Sequence, residues 1–224
     1  MQKAAFQEAS RAQMSLLAPL EKRALLWLAL RTPPSIHPDH LTLLGLASLL
    51  GAGLCYWYAS RNRWALIAVI VFLGLNWLGD SLDGTLARVR NRQRPRYGFY
   101  VDHMVDAFGT AALLAGLSQS GYMNERLAMM LLIAYFLISI EVYLATYTLG
   151  TFHLSFWVFS PTELRILLAV GNLILLVRPW VRLGDVQYRL FDVGGLVALT
   201  LMITMVLVAT SRHTAALYRA ERLP

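Results

Sequence analysis

Trp64-Ala-Leu-Ile-Ala-Val-Ile-Val-Phe-Leu-Gly-Leu-Asn-Trp-Leu-Gly-Asp80-Ser-Leu-Asp83-Gly-Thr-Leu-Ala-Arg88 is an apolar run that ends in acid. Its apolar part is long enough to cross a hydrocarbon layer of roughly 30 Å as a helix. A helix is required, because an open strand would leave backbone groups unpaired in lipid and the alternation of a barrel strand is absent. Ionisable side chains at such a depth cost several kcal/mol unless they face a cavity, a partner or a metal. The same stretch therefore sets the fold class and points to a site.

Outward from it, five more stretches read as spans: Leu41 to Ala59, Gly98 to Leu117, Leu127 to Thr148, Leu164 to Val177 and Leu190 to Thr210. The short one extends to Pro161, a residue suited to a first helical turn. At 57% hydrophobic, 15% charged and mean hydropathy +0.52, the 224-residue chain is too apolar for a soluble domain, which carries about 25% charged residues. The fold class is an all-α integral membrane protein: a six-transmembrane-helix bundle over one domain, residues 1–224.

Before the first span, Ala24 to Leu30 ends in Arg31-Thr32-Pro33-Pro34 without a small-residue cleavage site, which argues against a cleaved signal peptide. Residues of about 14–31 read instead as an N-terminal interfacial amphipathic helix, with Leu17, Leu20, Ala24, Trp27 and Leu28 on one face and Glu21, Lys22 and Arg23 off it. An ordinary packing helix is the alternative. The lone Cys55 excludes an intrachain disulfide and a cysteine zinc site.

Six spans put both termini on one side. Fourteen of the 20 Lys and Arg residues fall on that side, against six opposite: Arg61, Arg63, Arg126, Arg178, Arg182 and Arg189. That bias places the termini in the cytoplasm. The net charge of +7 is read as topology and contact with anionic headgroups, with no nucleic-acid partner.

Asp80 and Asp83 stand i, i+3 at the end of the second span, and Asp102 and Asp106 stand i, i+4 at the start of the third, so each pair shares a helical face. A short loop makes the two helices antiparallel neighbours, and four carboxylates converge just inside the boundary. Hard oxygen ligands suit magnesium, manganese or calcium better than zinc. Gly84 and Ala87 leave the helix surface bare, and Arg88 adds a planar donor fork for phosphate. Close packing of helices through small residues is the plainer reading of the glycine and alanine. Arg92, Arg94, Arg96 and Arg165 are candidates for a phosphorylated acceptor, although a solvated loop accounts for the first three.

These residues resemble the signature of the CDP-alcohol phosphotransferase (CDP-alcohol phosphatidyltransferase) family: Asp, two residues, Asp-Gly, two residues, Ala-Arg, seven or eight residues, Gly, three residues, Asp, three residues, Asp. All eight fixed positions are filled, with nine residues, Val89 to Tyr97, between Arg88 and Gly98. Pro38-Asp39-His40-Leu41-Thr42 is similar to the family's Pro-Asn-x-x-Thr, with Asp39 in place of asparagine; Asp39 is also suited to a helix N-cap.

What the resemblance implies is a CDP-lipid donor and a small alcohol acceptor, with the diphosphate bridging two Mg2+ or Mn2+ ions on Asp80, Asp83, Asp102 and Asp106. It implies Asp106 as general base, and Gly84, Ala87, Arg88, Gly98 and Thr42 as the donor side. The acceptors used by relatives are glycerol phosphate, inositol phosphate and serine. His103 after Asp102 is similar to the aminoalcohol enzymes, which move phosphocholine or phosphoethanolamine to diacylglycerol; a simple hydrogen bond on the helix face is the alternative. A homodimer is implied as well.

Two other classes compete. A divalent-cation or proton-coupled transporter needs carboxylates spread through the depth, whereas these cluster at one end. A noncatalytic scaffold would be expected to lack a catalytic position. Asn76 and Glu141 are polar residues in apolar spans; Glu141 is expected to be protonated, paired within the bundle or at a subunit contact.

Overall fold

The computed structural model of the protein describes residues 18–149 and 161–221. Leu17 and the start of the expected interfacial helix, with Lys3, Arg11 and Arg222, lie outside the described residues.

Among the described residues the chain forms α1 (Ala18–Arg31), α2 (Pro38–Ala59), α3 (Ala65–Val89), α4 (Pro95–Ser118), α5 (Glu125–Leu149), α6 (Pro161–Val177), the strands β1 (Trp180–Leu183) and β2 (Val186–Arg189), and α7 (Leu190–Ala220). Helices α2, α4 and α6 open on Pro38, Pro95 and Pro161, where the missing N–H costs nothing and the fixed φ favours the first turn. His37, not Asp39, occupies the N-cap of α2.

α3 ends in a Schellman arrangement. Asn91 takes φ 51°, its N–H donates to the Arg88 carbonyl at 3.1 Å, and the Arg92 N–H donates to Ala87 at 2.9 Å. The chain reverses within Arg90 to Arg94, and the nine-residue spacing is absorbed there, which leaves Gly98 in the first turn of α4.

α2 is central, packed on both α3 and α4; α5 continues from α4, α7 lies against α5, and α6 and α1 lie against α3. The main core joins Tyr56, Leu66, Val69, Leu113, Leu117 and Leu131. A second cluster, Leu25, Ala29, Leu41, Leu82 and Leu86, seats α1 beside the acidic end of α3. Outward faces remain apolar: Leu196, Leu201 and Leu207 of α7 are 59%, 63% and 61% exposed. In water such a stripe would be a severe liability, and in lipid it is the expected surface.

Four helices, α2, α3, α5 and α7, are long and apolar enough to cross a membrane. These make the chain a helical, multi-pass membrane protein, with one hairpin among the described residues. α4 carries Asp102, His103 and Asp106, which lower its apolarity. α6 has 17 residues, or about 26 Å at about 1.5 Å per residue. The antiparallel β1–β2 hairpin between α6 and α7 turns at Gly184, φ 63°, the left-handed value that a type II′ turn requires at its first central position.

α1 carries its only described acid inward. Glu21 Oε1 accepts from Trp77 Nε1 at 2.8 Å, Thr162 Oγ1 at 2.8 Å and Ser81 Oγ at 3.3 Å, tying α1 to α3 and α6. Leu25 and Ala29 bury beside it, while Leu20 and Trp27 face outward, 68% and 55% exposed. Glu21→Ala leaves the indole and hydroxyl donors without their acceptor, and a stability loss of about 1 to 3 kcal/mol is expected. A thermal melt in detergent measures it; an unchanged midpoint contradicts the anchoring role.

Candidate metal centre

Close approach of α2 and α3 sets the floor of the site. A Cβ at Gly79 would stand 2.5 Å from the Leu41 carbonyl oxygen and 2.6 Å from the Gly45 nitrogen, so only glycine lets the two backbones meet there. Asp80, the next residue, is thereby held against the bundle interior.

Asp80 on α3 and Asp102 and Asp106 on α4 each offer a carboxylate oxygen, all within 4.8 Å of one another, and all three side chains are half-buried. Two full charges at that distance repel by about 3 kcal/mol at an effective dielectric of about 20. A cation bound among the three would relieve that repulsion. Three hard oxygen donors in that spacing can hold a metal ion of the magnesium, manganese or calcium kind.

Asp83 lies beside the triad rather than inside it. Its Oδ2 accepts from Thr42 Oγ1 at 2.6 Å, and its Oδ1 accepts from the Gly84 N–H at 2.5 Å. It still faces the charges of Asp80 and Asp102. Of the four aspartates expected to converge, three share one metal-sized space and the fourth borders it. Thr42, expected on the donor side, sends its hydroxyl to that fourth carboxylate.

Arg165 enters the centre from the first turns of α6. Its Nη2 donates to Asp80 Oδ2 at 2.5 Å and its Nε to Asn76 Oδ1 at 2.7 Å. Its charge also acts on Asp106. The other expected cations stand further out: exposed Arg88 bonds Thr85 at 3.1 Å, Arg94 pairs with Asp39 and covers the Tyr97 ring, and Arg96 is exposed at the start of α4. Arg90 ties three carbonyls, of Ile36, Thr32 and Pro33, and so fixes the α1–α2 connection.

Small residues leave space where expected. A Cβ at Gly98 meets nothing within 4 Å, and at Gly84 it would meet the Arg88 guanidinium at 3.6 Å. Ala87 is half-buried on the same turn as Arg88. His103 Nδ1 lies 2.6 Å from the Phe99 carbonyl oxygen, and its ring meets Tyr143 edge-on at 4.9 Å. Glu141 is paired within the bundle, 2.5 Å from His213 on α7.

Two contributors were missed in the sequence. Asn76 was visible only as a polar residue in an apolar span, and Glu21 as a charge off an apolar face. Neither has a local signal that names its partner, since Arg165 is 89 residues away and Thr162 is 141.

The family model described as CDP-alcohol phosphatidyltransferase matches residues 35–219. The chain belongs to this family. A curated relative, the phosphatidylinositol phosphate synthase of Streptomyces avermitilis, is 28% identical over 81 residues, 36% of this chain and 31% of that protein. The alignment thus spans about a third of the relative's length. The matched region of the CDP-alcohol phosphatidyltransferase family runs from just before α2 to the end of α7, so the acidic triad, Thr42, Arg88 and Arg165 all lie inside it.

Proposed function

We propose that the protein is a phospholipid-synthesising transferase that moves the phosphatidyl group of CDP-diacylglycerol to a small hydroxyl acceptor and releases CMP. The observation that carries this reading is the Asp80, Asp102 and Asp106 cluster within one metal-sized space, with Arg165 against it, inside a CDP-alcohol phosphatidyltransferase family match.

In this reading Asp80, Asp83, Asp102 and Asp106 would together hold two Mg2+ or Mn2+ ions. Divalent metal held by these residues would supply positive charge against the diphosphate and the departing CMP. Asp106 takes the proton of the acceptor hydroxyl. The freed oxygen forms its bond to the lipid-side phosphorus while the bond from that phosphorus to the CMP oxygen breaks, so atoms and charge balance. Gly84, Ala87 and Gly98 give the nucleotide access to the backbone, and Arg88 binds its phosphates.

Arg165 favours an acceptor that carries phosphate, such as inositol phosphate or glycerol phosphate, over serine; Arg96 lies at the entrance. The Streptomyces relative, a phosphatidylinositol phosphate synthase, points the same way. His103 is engaged by the Phe99 carbonyl and the Tyr143 ring, which accounts for it without an aminoalcohol donor. The membrane reading is six spans, α2 to α7, in a single domain, with α1 interfacial and the termini and acidic end cytoplasmic. A homodimer is the proposed assembly.

The acceptor panel tests the reaction. Protein in nanodiscs is given CDP-diacylglycerol and Mg2+ or Mn2+ with inositol phosphate, glycerol phosphate or serine, and the product lipid is identified by mass spectrometry. A phosphatidyl product with one phosphorylated acceptor supports the assignment. Product formed only from CDP-choline or CDP-ethanolamine with diacylglycerol would replace it with the aminoalcohol reaction. Thr42→Val removes the hydroxyl donor from Asp83, and the metal concentration for half activity is expected to rise about 10-fold. An unchanged metal titration would remove Thr42 and Asp83 from the metal-binding machinery.

A further inference from the structure

Asn76 is 2% exposed, one turn before Asp80 on α3. An amide in the middle of a packed apolar helix is costly unless both its ends are satisfied. Here both are: Nδ2 donates to the Gly45 carbonyl of α2 at 3.0 Å, and Oδ1 accepts from Arg165 Nε at 2.7 Å. The first bond fixes the amide plane against a rigid backbone, because the Gly79 contact already locks α2 and α3 together. The second passes that orientation to Arg165.

A guanidinium is planar and carries its donors in fixed directions. With Nε on Asn76 and Nη2 on Asp80, the plane of Arg165 is determined at two points. Nη1 makes no hydrogen bond among the described residues, and the side chain is 14% exposed. The end of the fork is thus the part left over for an anion, beside Asp80 and within the field of Asp106.

We propose that Asn76 is a positioning residue for acceptor recognition: it aims Arg165 so that the Nη1 end of the guanidinium receives the phosphate of a phosphorylated acceptor. The inference rests on the role assigned to Arg165 above, and it adds the buried residue that acts through it. Asp80 alone would not serve, since a single contact leaves the guanidinium free to rotate about that bond and gives no preference for a planar, two-point grip.

Direct binding to protein in nanodiscs tests it without relying on turnover. The probes are glycerol 3-phosphate and inositol 1-phosphate, titrated calorimetrically into wild type, Asn76→Leu, Asn76→Asp, Arg165→Ala and the Asn76→Leu/Arg165→Ala double variant. Loss of a hydrogen bond to a charged group is expected to weaken binding about 10-fold or more in Asn76→Leu. Asn76→Asp keeps an oxygen for Nε and is expected to recover most of that loss. In the Arg165→Ala background, Asn76→Leu is expected to change nothing further, because its effect passes through the arginine.

A purely structural asparagine would instead lower the melting temperature and the active fraction in both Asn76 variants while leaving the dissociation constant of the folded fraction unchanged. That outcome overturns the proposal, as does an equal loss from Asn76→Leu with and without Arg165. Wild type that binds neither probe overturns it too; if that protein still releases CMP with serine, the transferase reading stands while the phosphate-recognition role falls.

Discussion

Asp106→Asn is expected to lower metal-dependent CMP release by about 10²- to 10⁴-fold, with the fold intact. Asparagine keeps the shape of the side chain and an oxygen that a metal can approach, but it cannot take a proton from the acceptor. Removing one negative charge from a space shared with Asp80 and Asp102 relieves repulsion, so the melting temperature should hold or rise. Activity and stability are therefore expected to move in different directions, which a mere folding defect does not produce. Acceptor-dependent CMP release and a thermal melt on the same preparation check both halves; near-wild-type release removes Asp106 as the base.

The largest effect on stability is expected at the crossing of α2 and α4. A Cβ placed on Gly116 would overlap the Gly53 carbonyl group and Cα, and one on Gly53 would overlap the carbonyl of Ala112. Backbone meets backbone there, and no side chain can swing aside. Gly116→Leu should cost about 3 kcal/mol or more, which corresponds to a fall in melting temperature of about 10 °C. It should also depress activity, because α2 carries Thr42 and α4 carries Asp102 and Asp106. Gly74→Ala is the matched control: a Cβ there meets nothing within 4 Å, and the better helix propensity of alanine makes the change neutral or slightly stabilising. Equal melting temperatures for the two variants would refute the close-contact argument.

Helix positions were largely legible because apolar length is a strong signal. The stretches read as 41–59, 64–88, 98–117, 127–148, 161–177 and 190–210 correspond to α2 through α7. The last helix runs ten residues further, to Ala220, since Ser211 to Ala220 leaves the apolar pattern but keeps alanine, leucine and arginine, which favour helix. The starts of α2 and α4 were each placed three residues late, past Pro38 and Pro95, whose N1 signal was used only for Pro161. The hairpin went unread: four-residue strands carry little periodicity, and Gly184-Asp185 was its one turn signal.

In the site, spacing along each helix brought Asp80, Asp102 and Asp106 together correctly, because i, i+3 and i, i+4 relations are local geometry. Asp83, expected to converge with them, stands beside the triad. Sharing a face with Asp80 does not fix the rotamer, and Thr42 from α2 and the Gly84 N–H draw its carboxylate aside. Periodicity set Glu21 off a face of Leu20, Ala24, Trp27 and Leu28, whereas it shares the packed face with buried Leu25 and Ala29 and turns toward Trp77, Ser81 and Thr162. Long-range partners such as Asn76 with Arg165 are products of the fold, and no local pattern encodes them.

The most direct measurement is CMP release from CDP-diacylglycerol by the purified protein in nanodiscs, with a phosphorylated acceptor present, before and after divalent metal is removed by chelation and restored. The account predicts CMP in step with product lipid, none after chelation, and recovery when Mg2+ or Mn2+ is returned. CMP release that is absent with every acceptor, or that persists without divalent metal, contradicts it.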